Sequence, residues 1–149
     1  MNHIIDHPAP PSLVAQIGAL YHRLYKECDK IFRGHDFPLQ MDQVPVLMVL
    51  YYSSGKSQKD IGADLGRDKA SINRTISVFL KKDIVKVIPD TVDKRKTRVE
   101  LTASGEKLAK QADAILGRFD AVLSSELTEE EKNEFDKTML KLIGIVTPC

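Results

Sequence analysis

The chain has 149 residues, 42% of them apolar, and a formal net charge of +1, a globular composition that suits one domain or a domain with an added oligomerisation element. Its longest apolar run, Val44 to Tyr52, is about half of a bilayer span, and no basic stretch followed by an apolar one opens the chain. Two cysteines far apart, Cys28 and Cys149, exclude a disulfide framework and fit a reducing cytoplasm.

After a Pro-rich lead (Pro8, Pro10, Pro11), Leu13, Ile17, Leu20, Tyr21, Leu24, Cys28, Ile31 and Phe32 trace an amphipathic helix that Gly34 ends. A second helix is expected from Asp42 to Tyr52. Pro45 falls in its first turn, where the amide has no helical partner. Ser53-Ser-Gly55 then breaks the chain.

Two short helices follow. Ser57 with Asp60 resembles a capping box, and Asp68 is a good N-cap for the second of them. Ile61 and Leu65 turn the first helix inward; Ile72, Ile76 and Phe79 do the same for the second. On the opposite face of the second helix stand Asn73, Arg74, Ser77 and Lys81, with Ala70 and Val78 beside them, and no acidic residue occurs from Lys69 to Lys82. Small, polar and basic side chains are what a helix needs to enter the major groove of DNA, where base edges are read by short hydrogen-bonding groups and Arg.

Val85 to Ile88 and Thr97 to Leu101 are β-branched runs around a polar tip with Lys94, Arg95, Lys96 and Arg98, a pattern that predicts a basic hairpin. Beyond it, Thr102 can cap a long helix bearing Leu108, Ala112, Ile115, Phe119, Val122 and Leu123. Thr128 and Glu131 form a second capping box before a helix with Phe135, Met139, Leu142, Ile143 and Val146.

Charge is distributed unevenly. Between Lys56 and Arg98 lie twelve of the 22 basic residues and six of the 21 acidic ones, a local net of +6 that leaves −5 for the rest. Phosphate contacts supply much of the affinity for DNA, so the sign of the surface that faces it matters more than the total. The apolar stripes of the three long helices exceed what one small winged domain can cover, and a second copy is the economical partner. A two-fold dimer would present two recognition helices to a near-palindromic site.

Other constellations carry less. Ser54-Gly55-Lys56-Ser57 imitates the end of a phosphate-binding loop, yet Leu50 stands where that loop needs Gly. His3 and His7 are spaced by four with Asp6 between them, in a Pro-rich tail; surface histidines are the default, and no metal or cofactor is expected. No nucleophile with a base and no carboxylate pair points to an enzyme.

The order of parts resembles the MarR family of bacterial transcription regulators over nearly the whole chain. Gln43-Val-Pro-Val-Leu47 is similar to its Gln-Phe-x-Val-Leu stretch, Asn73-Arg74 to its Thr-Arg or Ser-Arg pair, Asp93-Lys-Arg95-Lys-Thr-Arg98 to its Asp-x-Arg-x-x-Arg wing, and Leu101-Thr-Ala-Ser-Gly105 to the Leu-Thr-x-x-Gly stretch that follows. The resemblance implies that Asn73, Arg74 and Ser77 face the major groove, that Arg95 reaches the minor groove, and that Asp93 orients Arg95 or Arg98. Two departures stand out: Val78 replaces a frequent Arg, and Asp83 replaces the Gly that usually closes the recognition helix. The family also implies a pocket for small aromatic acids or phenols, for which Tyr21, His22, Tyr25, Tyr51 and Tyr52 are candidates, and its peroxide sensors make Cys28 a candidate redox switch.

The expected fold is therefore mostly α with a small β-hairpin wing: a winged helix-turn-helix over residues 37–101, a tail and dimerisation helix over 1–36, and dimerisation helices over 102–149. The expected function is a cytoplasmic, homodimeric, sequence-specific DNA-binding regulator, a repressor, with Lys69, Ser71, Asn73, Arg74, Ser77, Lys81, Lys94, Arg95, Lys96 and Arg98 on DNA. The alternatives are a winged-helix adaptor for other proteins and a redox-sensing regulator acting through Cys28.

Overall fold

A computed structural model describes residues 12–147, so His3, Asp6, His7 and Cys149 lie outside the described residues. The chain divides into two compact units, residues 1–112 and 113–149. The larger contains α1 (Leu13–Gly34), α2 (Val44–Tyr52), α3 (Gln58–Leu65), α4 (Lys69–Lys81), β1 (Val85–Pro89), β2 (Thr97–Leu101) and the start of α5 (Ala103–Ser125). The rest of α5 and α6 (Glu129–Val146) belong to the smaller. This is the mostly helical, winged architecture that the sequence predicts.

Helix starts follow local chemistry. Ser12 Oγ accepts from the amide of Ala15 at 3.1 Å and the Asp68 carboxylate from that of Ser71 at 2.7 Å. Both capping boxes are complete: the amide of Asp60 donates to Ser57 Oγ at 3.1 Å and that of Glu131 to Thr128 Oγ1 at 3.1 Å, with the reciprocal bonds present. Such caps satisfy amides that have no partner inside the helix. α2 starts two residues later than expected, because residues 41–43 form a turn in which the Gln43 side chain accepts from the amide of Gln40 at 3.0 Å.

α1 ends at Gly34, as expected, and the left-handed residue beyond it is Asp36, with φ of 51°. The amide of Phe37 donates to the carbonyl of Phe32 at 3.1 Å, and the two rings meet edge to face at 4.9 Å. At the end of α4, Asp83 takes the left-handed conformation with φ of 56°. Its amide donates to the Leu80 carbonyl at 3.2 Å and that of Ile84 to the Phe79 carbonyl at 2.8 Å. Those two bonds, with Phe79 and Ile84 both buried, make a Schellman closure in which aspartate occupies the position glycine favours.

The core of the larger unit gathers Val44, Val46, Leu47 and Leu50 of α2 with Ile61, Ile72, Ile76, Phe79, Val85 and Val99. α2 meets both α3 and β2, which is why it is apolar all round. β1 and β2 pair antiparallel from Val85↔Leu101 to Pro89↔Thr97. The free edge of β2 is taken by Lys56, whose carbonyl accepts from the amide of Val99 at 2.8 Å. β1 is therefore the edge strand that can carry Pro89. In the smaller unit, α6 has no buried residue: Phe135, Leu140, Ile143 and Val146 are all more than half exposed.

Two substitutions test the α4 exit in urea unfolding. Asp83→Gly should raise stability by roughly 0.5–1 kcal/mol, since an L residue is penalised at positive φ. Gly105→Ala should lower it by about 2–3 kcal/mol, because a Cβ there would stand 2.0 Å from the Ile84 carbonyl oxygen. A destabilised Asp83→Gly protein would contradict the assignment.

Candidate nucleic-acid interface

On α4 the buried stripe of Ile72, Thr75, Ile76 and Phe79 turns the opposite face outward, leaving Lys69, Asn73, Arg74, Ser77 and Lys81 exposed. Ser71 is half-buried, and its amide is engaged by the Asp68 cap. Ser77 Oγ donates to the Asn73 carbonyl at 2.8 Å, leaving its lone pairs outward. Val78, one of the two departures from the MarR pattern, is half-buried rather than fully presented.

The wing tip is built on two aspartates. Asp90 accepts from the amides of Asp93 at 3.0 Å and Val92 at 3.3 Å. Its own amide donates to the Lys96 carbonyl at 2.9 Å. These amide bonds, the one from Asp93 foremost, hold its carboxyl below the usual range. Asp93 accepts from Arg95 three times, from the amide at 3.1 Å, from Nε at 3.2 Å and from Nη2 at 3.4 Å. Of the two arginines open at the sequence level, Asp93 thus orients Arg95, whose side chain is 91% exposed.

Arg98 is placed differently from Arg95. It is half-buried, with Nε 3.5 Å from Asp90 and its guanidinium close to Gly55, where an added Cβ would meet Nη1 at 3.2 Å. Gly55, at φ of 74°, is the residue that lets the loop approach this closely.

Helix and wing enclose one groove of about 870 Å³. Lys69, Asn73, Arg95, Lys96 and Arg98 of the predicted set line it; Ser71, Arg74, Ser77, Lys81 and Lys94 do not. Lys59 and the rest of the first turn of α3 line it too, with Thr97, and the sequence reading missed them. Lys59 was legible as a basic residue in the first turn of a helix, and Asp90 as the turn former after Pro89. Asp60 belongs to the same wall, its carboxyl held below the usual range first by the hydroxyl of Ser57. Lys56, counted in the basic stretch, is neutralised by an ion pair with Asp64.

The five aromatic candidates for a ligand pocket fall into two neighbourhoods. Tyr21 meets His22 edge to face at 5.8 Å and Tyr25, tilted, at 6.1 Å; Tyr51 meets Tyr52, tilted, at 5.3 Å. Of the five, only Tyr25 lines the cleft of about 490 Å³ between the end of α1 and the 39–42 turn, with Asp29, Phe32, Arg33 and Asp42. Burial, then the carboxylates of Asp42 and Asp29, push the Tyr25 phenol up. Among the described residues, no group of histidine, cysteine and carboxylates could hold a metal ion.

Cys28 is half-buried, and burial followed by the Glu27 carboxylate pushes its thiol up. A raised pKa leaves less thiolate at neutral pH, the reverse of what a reactive cysteine requires. In a Cys149→Ser protein, the iodoacetamide alkylation rate of Cys28 should therefore rise with pH at a midpoint above that of free cysteine. A midpoint below it would restore the redox reading.

Residues 35–96 match the model of the MarR family. No curated protein matches. Among solved structures, the chain is similar to a MarR/EmrR family transcriptional regulator from Acinetobacter sp. ADP1, with 28% identity and a TM-score of 0.81 over 89% of this chain and 93% of that one. A MarR transcriptional regulator from Methanosarcina mazei Go1 shares 25% identity at a TM-score of 0.73, covering 86% and 91%. The S. aureus MepR–DNA complex has the same fold at 22% identity, with a TM-score of 0.79 over 92% of this chain and all of that one. No helix among the described residues is long and apolar enough to cross a membrane.

Proposed function

We propose that this chain, whose residues 35–96 match the model of the MarR family, is a sequence-specific DNA-binding transcription regulator, acting in the cytoplasm as a homodimeric repressor. The observation that carries the reading is the groove in which the polar face of α4 and the basic wing come together, with Lys59, Lys69, Arg95 and Lys96 beside Asn73. Asn73 offers a bidentate group of the kind that reads adenine in the major groove, and Arg95, prealigned by Asp93, suits the narrow minor groove. The MepR structure with bound DNA supports the same use of this fold.

Dimerisation is supported by apolar surface that a single chain leaves open. Leu13, Val14 and Leu20 of α1 and Phe135, Leu140, Ile143 and Val146 of α6 are at least half exposed, and stripes of this kind on long helices call for a partner. A small aromatic ligand fits the cleft beside Tyr25 in size. Its binding would release DNA by favouring another arrangement of the protein.

Mobility shift against the gene's own upstream DNA tests the reading; a protein that binds no duplex in a salt-sensitive way would overturn it. Arg95→Ala should weaken binding to all sequences by about tenfold, whereas Asn73→Ala should also change which sequence is preferred, at a cost of about 1–3 kcal/mol at one base pair. Sedimentation at micromolar concentration should return twice the chain mass of 16.7 kDa, and Phe135→Asp with Ile143→Asp should halve it and abolish operator binding.

A further inference from the structure

Ile84 belongs to two pieces of structure at once. Through its amide it closes α4, donating to the Phe79 carbonyl at 2.8 Å. Its carbonyl, one peptide further on, accepts from the amide of Thr102 at 2.9 Å, at the point where β2 has ended and α5 begins. The Thr102 hydroxyl donates toward the carbonyls of Asp83 and of Ile84, the latter at 3.1 Å. The same oxygen accepts from the amide of Gly105 at 3.0 Å. One hydroxyl therefore uses its single proton on the exit of α4 and its lone pair on the first turn of α5. Gly105 makes the approach possible, since any side chain would collide with the Ile84 carbonyl.

We propose that Thr102 is a positioning residue for DNA recognition: its hydroxyl pins the carboxyl end of α4 to the base of the wing and the first turn of α5, fixing the recognition helix relative to the wing. The inference rests on the DNA-binding reading above. Helix and wing address different grooves, so their mutual placement decides whether both can engage a specific site at once. Contacts to phosphates tolerate small displacements, whereas base contacts depend on hydrogen-bond geometry. The left-handed Asp83 lies at the pivot of this link. A loosened Asp83–Ile84 segment would let α4 move while its buried stripe keeps it folded.

The test uses the full-length protein with Thr102→Val, Thr102→Ser and Thr102→Asp, a duplex selected by the wild type from a random pool, and a scrambled duplex of equal length. Thr102→Val should lower the ratio of selected to scrambled binding by about tenfold. Salt-sensitive binding to the scrambled duplex should stay within about twofold, and Thr102→Ser should restore the ratio. Amide hydrogen exchange supplies a readout that needs no DNA: residues 82–84 should exchange about five- to tenfold faster in Thr102→Val, in keeping with the loss of one hydrogen bond.

Thr102→Asp separates the two roles and carries the test if the valine variant does not fold. Its carboxylate can still cap the Gly105 amide but has no proton for the Asp83 and Ile84 carbonyls, so residues 82–84 should exchange faster while Gly105 stays protected. Equal loss on both duplexes, no rescue by serine, or unchanged exchange at 82–84 would each overturn the proposal. Should the wild type bind no duplex, the DNA-binding reading fails and the positioning role fails with it, whatever the exchange shows.

Discussion

The burial of Ile72, Ile76 and Phe79 is the constraint on which the proposed recognition surface depends. Each of the three is at most 1% exposed, and burying such a side chain is worth about 1.5–3 kcal/mol. No rotation of α4 that hides Asn73 or Arg74 can compete with that sum. The helix thus presents its polar face outward because its apolar face has no alternative. The caps at Asp68 and the closure at Asp83 and Ile84 then set where that face begins and ends along the axis.

The wing is held by a different kind of force. It is a two-stranded ribbon, which by itself is marginally stable in water. Lys56 adds a backbone bond to the free side of β2, Val99 fills the core beneath it, and Asp90 ties the tip together. Having acidic groups beside a surface proposed to meet phosphate looks contradictory until their partners are counted. Asp93 is engaged by Arg95, Asp90 by backbone amides and Arg98, and Asp60 by its capping box. The carboxylates order the cations and amides around them, and Lys69, Lys94 and Lys96 remain exposed.

Much of this was legible in the residues. Helix starts could be read because a Ser, Asp or Thr N-cap acts over three residues, and the outward face of α4 because 3.6-residue periodicity is a local property. The end of α1 was legible at Gly34, but not the left-handed Asp36 two residues on, after which Phe37 meets Phe32. The aromatic candidates were grouped by residue type, and packing separated them into two neighbourhoods. Lys59, Asp90 and Lys56 gained their places from partners as far as 43 residues away in the chain, as with the pairing of Lys56 and Val99.

By itself, then, the sequence determined the elements, the charged stretch and the resemblance to the MarR family, because capping, periodicity and local charge act between neighbours along the chain. Only the tertiary structure decided which basic residues share a groove, that Asp93 serves Arg95 while Asp90 serves Arg98, and that Thr102 joins two helix ends. Those outcomes depend on hydrogen-bond angles and close approaches between distant segments, such as the space that Gly105 leaves for the Ile84 carbonyl, and a linear pattern carries no record of such distances.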